Sequence, residues 1–374
     1  MWRYRNPVAI TFGIDTFAEL PKLIAGYPYA LVTYPEAPFA ALADRLSRVA
    51  GDPVFTVNDV APNPDTRLLA AQSARLRAGS EPEVIVALGG GSVIDTAKVL
   101  AAARGGFPAV LRYLQTGGGA ETLSATPIIA VPTTAGTGSE VTSWATVWDT
   151  QSGKKYSLSR PNLYPKDALV DPKLMVGKPR QLTISTGLDA LSHALESLWN
   201  VNVNPLSAHH AVVAAREILV VLPQLVNDLQ DIDLRSRMAS AALAAGLAFS
   251  NTRTAIAHSI SYPMTLRHSV AHGIACSFTL PMVLRSVSET GGLARDGLTA
   301  IFGANLKAGA DRLETFLGDL AVSTDFRTYG IEPGAWAKLI VEAFDGERGQ
   351  NFTGTRQALL QAAGLREHES TRVQ

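Results

Sequence analysis

Cysteine is nearly absent, with Cys276 alone among 374 residues. Neither an internal disulfide nor a thiolate metal cage is available, and a reducing compartment fits. Net charge is absent too, since 33 Lys and Arg balance 33 Asp and Glu. With no dense basic run, the electrostatic footprint of nucleic-acid or acidic-membrane binding is missing. No stretch approaches the 18 or so apolar residues of a membrane span, and the start, MWRYRNPVAITFG, has no sustained apolar core of a signal peptide. Disorder is excluded by a composition that is 47% hydrophobic and only 18% charged, as in ordinary globular chains. What is there is length for two or three domains with sizeable cores. Small-molecule chemistry in the cytoplasm is the expectation.

Two composition shifts coincide. Of the 21 prolines, 16 lie at or before Pro179, while all seven histidines lie at or after His193. The reading is therefore two domains, residues 1–179 and 180–374. In the first, short runs rich in β-branched residues (8–12, 29–34, 84–88, 127–131) alternate with helical segments at 65–77 and 92–103, the pattern of a mostly parallel sheet with crossover helices. A hairpin follows, VTSWATVW and KKYSLS with its turn at Asp149 to Gly153, and an ALVDP segment closes the domain. From Thr183 on, apolar residues recur at helical spacing, which predicts a helical bundle. The polar end of the chain is expected to fray.

Three segments carry chemistry. The strand VIVALGGGS runs into a helix through Gly89, Gly90 and Gly91, where backbone amides and the positive helix end suit a phosphate. After strand PIIAV comes PTTAGTGSE, whose Thr133, Thr134, Thr137 and Ser139 offer hydroxyls beyond the carboxyl end of a strand, the edge where α/β sheets bind ligands. Together these loops read as a dinucleotide site. In TGLDALSHALES, Asp189 and His193 are four apart and share a helix face; His258 and His272 follow, fourteen residues apart. One carboxylate and three neutral imidazoles suit a first-row divalent ion, Fe(II) or Zn(II), with a position left for a substrate oxygen. Cys276, in an apolar run with no evident basic neighbour, reads as a small buried hydrophobe.

GGGSVIDTAK, PTTAGTGSE, TGLDALSHALES and AHSISYPMTLRHSVAHG, in this order and spacing, resemble the iron-containing (group III) alcohol dehydrogenase family over the chain to about residue 290. The resemblance implies a dehydroquinate synthase-like fold: an N-terminal Rossmann-like dinucleotide-binding domain, a C-terminal helical metal-binding domain, and a metal in the cleft between them. It implies Asp189, His193, His258 and His272 as metal ligands, and Gly90, Gly91, Ser92, Asp95, Thr133, Thr134, Thr137 and Ser139 as contacts of NADH or NADPH. Asn63 and Lys155 match more weakly. It also implies a homodimer, and a metal that polarises a carbonyl while hydride passes to or from the nicotinamide. Activity should fall at acid pH as the three imidazoles protonate.

Three departures from that family are informative. Tyr262 stands where a second histidine is frequent, so Tyr262 or His268 is the candidate proton relay. Tyr34 ends the second strand where many relatives have an aspartate for the adenosine ribose; without that carboxylate, NADPH becomes acceptable. Between Phe249 and His258 stand Thr252, Arg253 and Thr254, and a guanidinium flanked by hydroxyls suits a tetrahedral oxyanion. With LWNVNVNPLSAHH and SISYPMTLRHSVAHGIACSFTLP, this most resembles the phosphonate-metabolism branch, whose implied reaction is reduction of phosphonoacetaldehyde to 2-hydroxyethylphosphonate. Arg160 and Arg267 are further anion candidates. A general iron-dependent alcohol dehydrogenase and a cyclising lyase resembling dehydroquinate synthase are the alternatives.

Overall fold

The computed structural model of the protein describes residues 1–365, and the chain end expected to fray lies largely outside them. Two compact units form, Asn6–Val176 on the one hand and Met1–Arg5 with the chain from Gly177 on the other. The first five residues thus belong with the helices and not, as the 1–179 boundary has it, with the sheet. Tyr4 donates its hydroxyl to Leu247 O at 3.2 Å, and the Arg5 amide donates to Asn251 Oδ1 at 2.8 Å.

The first unit is built on strands β1 (Ala9–Phe12), β2 (Tyr29–Thr33), β3 (Phe55–Val57), β4 (Val84–Gly89), β5 (Ile128–Pro132) and β8 (Asp167–Val170), paired in the order β1-β8-β5-β4-β2-β3. Every pairing is parallel. Strands β2, β4, β5 and β8 are buried at every residue, as a sheet covered on both faces requires, which is why they read as unbroken apolar runs. The ALVDP segment supplies β8, seated between β1 and β5. Helices α1 (Leu20–Ile24), α2 (Ala37–Ala50), α3 (Thr66–Ala78), α4 (Gly91–Ala102) and α5 (Phe107–Thr116) make the crossovers. Because β2 leads outward to β3 before the chain returns to β4, the strand order reverses between β2 and β4, and a crevice opens at their carboxyl ends. Tyr34, Gly90 and Thr133 all follow strands at that edge. The expected hairpin is β6 (Trp144–Asp149) with β7 (Lys154–Ser159), antiparallel in the register Trp144↔Ser159 to Asp149↔Lys154.

The second unit is helical: α6 (Arg180–Leu198), α7 (Pro205–Leu225), α8 (Ile232–Thr252), α9 (Ile256–His268), α10 (His272–Ser277), and shorter helices that include Pro333–Glu342 and Glu347–Gln350. α6 is buried without interruption from Gly187 to Leu198, so it is the core helix against which others pack. α7 begins with a capping box, Asn204 Oδ1 accepting from Ser207 N while Ser207 Oγ accepts from Asn204 N. Against the sequence expectation, α7 is long and apolar enough to cross a membrane by length and composition. Its face from Ala208 through Ala211, Ala215, Ile218 and Leu222 is buried and packs on α6 and α8, the behaviour of a core helix.

Candidate metal centre and dinucleotide loops

Burying α6 on all sides forces its polar residues to find partners. Asp189, His193 and Glu196 stand at positions i, i+4 and i+7 of that helix, one face, and all three are buried. His258 enters from the first turn of α9 and His272 from the start of α10. The approach of α10 is set by Gly273: a Cβ there would lie 1.8 Å from the Ser185 carbonyl oxygen on α6. Only glycine lets the two backbones come that close.

These four side chains converge. The Nε2 atoms of His258, His193 and His272 lie 3.5, 3.8 and 3.9 Å from one oxygen, Asp189 Oδ1. Donors bound at about 2.0–2.1 Å to a tetrahedral ion sit about 3.3 Å apart. Asp189, His258 and His272 each bring a ligand atom into one group within 4.8 Å, which Cys276 joins and His193 does not, so His193 reaches the ion only by moving in beside Asp189. The orphaned atoms point the same way: Asp189 Oδ1 and His258 Nε2 are buried without a hydrogen bond, a costly state that an ion relieves. Burial works to raise the Asp189 carboxyl, but the imidazoles around it outweigh burial and hold it below the usual carboxylate range, ready to ligate. The His193 ring is fixed by stacking on Phe249, with centroids 3.9 Å apart and planes 4° from parallel.

One residue here escaped the sequence reading. Glu196, fully buried, accepts the Nδ1 proton of His258 and, at 2.6 Å, the amide of Ala257. That contact fixes the tautomer in which His258 Nε2 presents its lone pair inward, the carboxylate–histidine arrangement of metal sites. Its signal was the i+7 spacing from Asp189. Cys276 is buried, as expected, and burial pushes its thiol up, but it does have a basic neighbour: its Sγ lies 3.7 and 3.8 Å from the ring nitrogens of His272.

In the sheet unit, α4 starts at Gly91 with no side chain capping it, leaving its first-turn amides for an anion. A Cβ on Gly91 would meet Thr137 at 2.6 Å, so this glycine lets the two loops interlock. Thr133 Oγ1 is buried without a hydrogen-bond partner at the end of β5, an orphan that a dinucleotide would satisfy. Thr134 and Tyr34 both border Gly90, and burial pushes the Tyr34 hydroxyl above its ordinary pKa. Asp95 and Ser139 are turned inward: Asp95 accepts from Ser139 Oγ at 2.6 Å and from the Thr146 amide at 2.8 Å. Their work is to hold the second loop. Lys155 lies over the Trp148 ring at 5.0 Å, and Asn63 is an exposed residue at φ 59°.

The second loop is anchored by a buried charge cluster. Lys98 Nζ donates to Ser139 O, Ser139 Oγ, Thr142 Oγ1 and Trp144 O at 2.7 to 3.1 Å. Burial brings its pKa down to about 8 against the pull of Asp95 and Glu140, and burial pushes the Glu140 carboxyl up to about 7. A carboxyl raised in the folded state binds its proton more tightly there than in the unfolded chain. Its stabilising contribution is therefore full below pH 4.5 and disappears as pH rises through 7. Glu140→Gln should match wild-type stability at pH 5 and exceed it at pH 8.5, by up to about 3 kcal/mol. Thermal unfolding at both pH values measures this; equal differences at the two would assign the effect to something other than the carboxylate.

The remaining candidates are dispersed. Arg253 Nη1 is paired with Glu347 at 3.2 Å, and its backbone at φ 63°, ψ −179° closes α8, so its guanidinium is engaged in an ion pair with a helix carboxylate. The guanidinium brought toward the cluster is Arg348: its Nε donates to the buried Thr254 Oγ1 at 3.1 Å and its Cζ lies 4.8 Å over the Tyr262 ring. Tyr262 in turn lies parallel to His272, within 6°, at 6.4 Å. His268 and Arg267 line a separate cavity with Lys338 and Glu342, which takes His268 away from the metal cluster as a relay. Arg160 donates to Leu123 O at 2.8 Å.

Comparison with known proteins agrees with this geometry. Residues 7–172 match the family described as iron-containing alcohol dehydrogenase, and residues 183–362 match the C-terminal part of the Fe-containing alcohol dehydrogenase family. Phosphonoacetaldehyde reductase of Streptomyces viridochromogenes is 36% identical over 284 residues, 71% of each chain. 1,3-Propanediol dehydrogenase of Citrobacter freundii is 31% identical over 361 residues, 89% of each. Among solved structures, sulfoacetaldehyde reductase of Bifidobacterium kashiwanohense in complex with NAD+ superposes with a TM-score of 0.89 at 28% identity, covering 100% of this chain and 99% of the other. The cyclising-lyase alternative falls with these matches. The chain belongs to the iron-containing alcohol dehydrogenase family and is an oxidoreductase acting on CH–OH groups.

Proposed function

We propose that this enzyme reduces phosphonoacetaldehyde to 2-hydroxyethylphosphonate with NADH or NADPH, as a cytoplasmic homodimer. The observation that carries the reading is the Arg348 guanidinium, held by buried Thr254 and stacked over Tyr262 one ring from the metal ligand His272. A planar fork of donors matches a tetrahedral oxyanion. The 36% identity to a phosphonoacetaldehyde reductase supports the same substrate.

When bound, a divalent ion supplies Lewis acidity at the carbonyl oxygen and the nicotinamide supplies hydride. Asp189, His193, His258 and His272 would hold the ion, Fe(II) or Zn(II), with Glu196 fixing His258 in the ligating tautomer. The amides at Gly90, Gly91 and Ser92, with Thr133, Thr134 and Thr137, cradle the dinucleotide, and Asp95, Ser139 and Lys98 keep that cradle in shape. Arg348 and Thr254 orient the aldehyde through its anionic end, while Arg253, next to Thr254 in the chain, pairs with Glu347. Burial raises the pKa of Tyr262, so its Oη holds a proton through neutral pH and donates it toward the product oxygen. Tyr34 presents a neutral hydroxyl near Gly90, which leaves a 2′-phosphate unopposed and admits both cofactors.

The test is oxidation of NADH and of NADPH by the Fe(II)-loaded enzyme with phosphonoacetaldehyde, sulfoacetaldehyde and propanal. Phosphonoacetaldehyde should lead in kcat/KM. A lead for sulfoacetaldehyde moves the assignment to the sulfonate, which the superposition on sulfoacetaldehyde reductase favours. Equal use of propanal overturns the anionic substrate and leaves a general alcohol dehydrogenase.

A further inference from the structure

The metal cluster contains a donor that the Asp-His₃ set does not use. Cys276 lies one helical turn beyond His272 on α10 and is fully buried. Its sulfur and one ligand atom each from Asp189, His258 and His272 lie within 4.8 Å of one another. Two of those atoms, Asp189 Oδ1 and His258 Nε2, are buried with no hydrogen bond. The thiol thus faces the same orphaned atoms that a metal ion would satisfy. Among the described residues this group supplies the four donors that a tetrahedral ion takes: one oxygen, two nitrogens and one sulfur.

We propose that Cys276 is a metal ligand, and that thiophilic divalent ions bind this centre through Asp189, His258, His272 and Cys276. Ligation replaces the S–H bond by a sulfur–metal bond and releases the proton to water, with no change of oxidation state. Thiolate is a soft donor and favours zinc-like ions over the oxygen- and nitrogen-preferring ones, so the donor set chosen depends on the ion that arrives. Gly273, which draws α10 against α6, brings the sulfur in together with His272. The inference rests on the family's metal site but is independent of the substrate.

Since Cys276 is the chain's one cysteine, any metal–thiolate signal has a single source. The full chain is stripped of metal under anaerobic conditions, loaded with Co(II) or Zn(II), and compared with Cys276→Ala. The wild-type Co(II) form should show a sulfur-to-metal charge-transfer band in the near ultraviolet. The Zn(II) form should show one scatterer at about 2.3 Å beside those at about 2.0–2.1 Å in X-ray absorption. Both signals should vanish in Cys276→Ala, while cofactor binding in that variant confirms that it is folded. One ion per chain with wild-type spectra identical to those of Cys276→Ala overturns the thiolate ligand and leaves the Asp-His₃ site standing. A wild-type chain that binds no ion overturns both.

Discussion

Asp189→Asn should leave a folded chain that retains no stoichiometric iron or zinc and reduces aldehydes about 10⁴-fold more slowly. The expectation follows from one oxygen. Asp189 Oδ1 is the common neighbour of three Nε2 atoms at 3.5 to 3.9 Å, and it is the one anionic donor in the Asp-His₃ set. Asparagine keeps the volume but loses the charge, so the ion would be held by neutral imidazoles alone in a buried site, where charge compensation matters most. Loss of Lewis acidity removes several kcal/mol of transition-state stabilisation, and about 5 kcal/mol corresponds to about 10⁴ in rate. Metal analysis and steady-state kinetics measure the two effects. Dissociation constants for NADH and NADPH are the control, because the dinucleotide loops belong to the other compact unit. Retention of one ion per chain with near-normal turnover would refute the ligand assignment.

Arg348→Ala should lower kcat/KM for phosphonoacetaldehyde about 10²-fold while changing propanal less than about threefold. Charge-assisted hydrogen bonds contribute about 1.5–3 kcal/mol each, and 2.7 kcal/mol is a factor of about 10². The uncharged aldehyde separates recognition from general damage: a variant harmed through the packing of Arg348 on Tyr262 would lose both substrates alike. Arg253→Ala is the paired comparison. Its guanidinium is engaged by Glu347, so its loss should cost the anionic substrate less than the loss of Arg348 does. The reverse order would return the anion contact to Arg253.

The contrast between these arginines shows where sequence reading reaches its limit. Arg253 was visible because it stands five residues before His258 in a run that departs from its relatives. Arg348 stands 94 residues beyond the Thr254 to which it bonds, and no local pattern marks a helix of four residues, Glu347–Gln350, as part of a site. Cys276 is buried as expected, but that His272 is its neighbour was not legible, for the same reason. A basic neighbour one turn away on α10 becomes a neighbour only when that segment is helical and pressed on α6. The elements that sequence did disclose are those dictated by short-range chemistry. A fully buried parallel strand must be apolar throughout, a strand-to-helix turn must admit Thr137 against Gly91, and a helix buried on all sides cannot carry Asp189 and His193 idly. Strand β3 is only three residues long, too short to show a period, and was therefore not legible.

The attachment of the first five residues to the helical unit bears on the order in which the chain acquires its structure. Tyr4 and Arg5 bond to residues 243 and 246 positions further on, and at synthesis rates of about 5–20 residues per second those partners emerge about 12–50 s later. Every strand of the parallel sheet has been made by Val170. The sheet unit can thus complete itself on the ribosome while this pentapeptide waits for its partners, so residues made before the sheet find their place only after it.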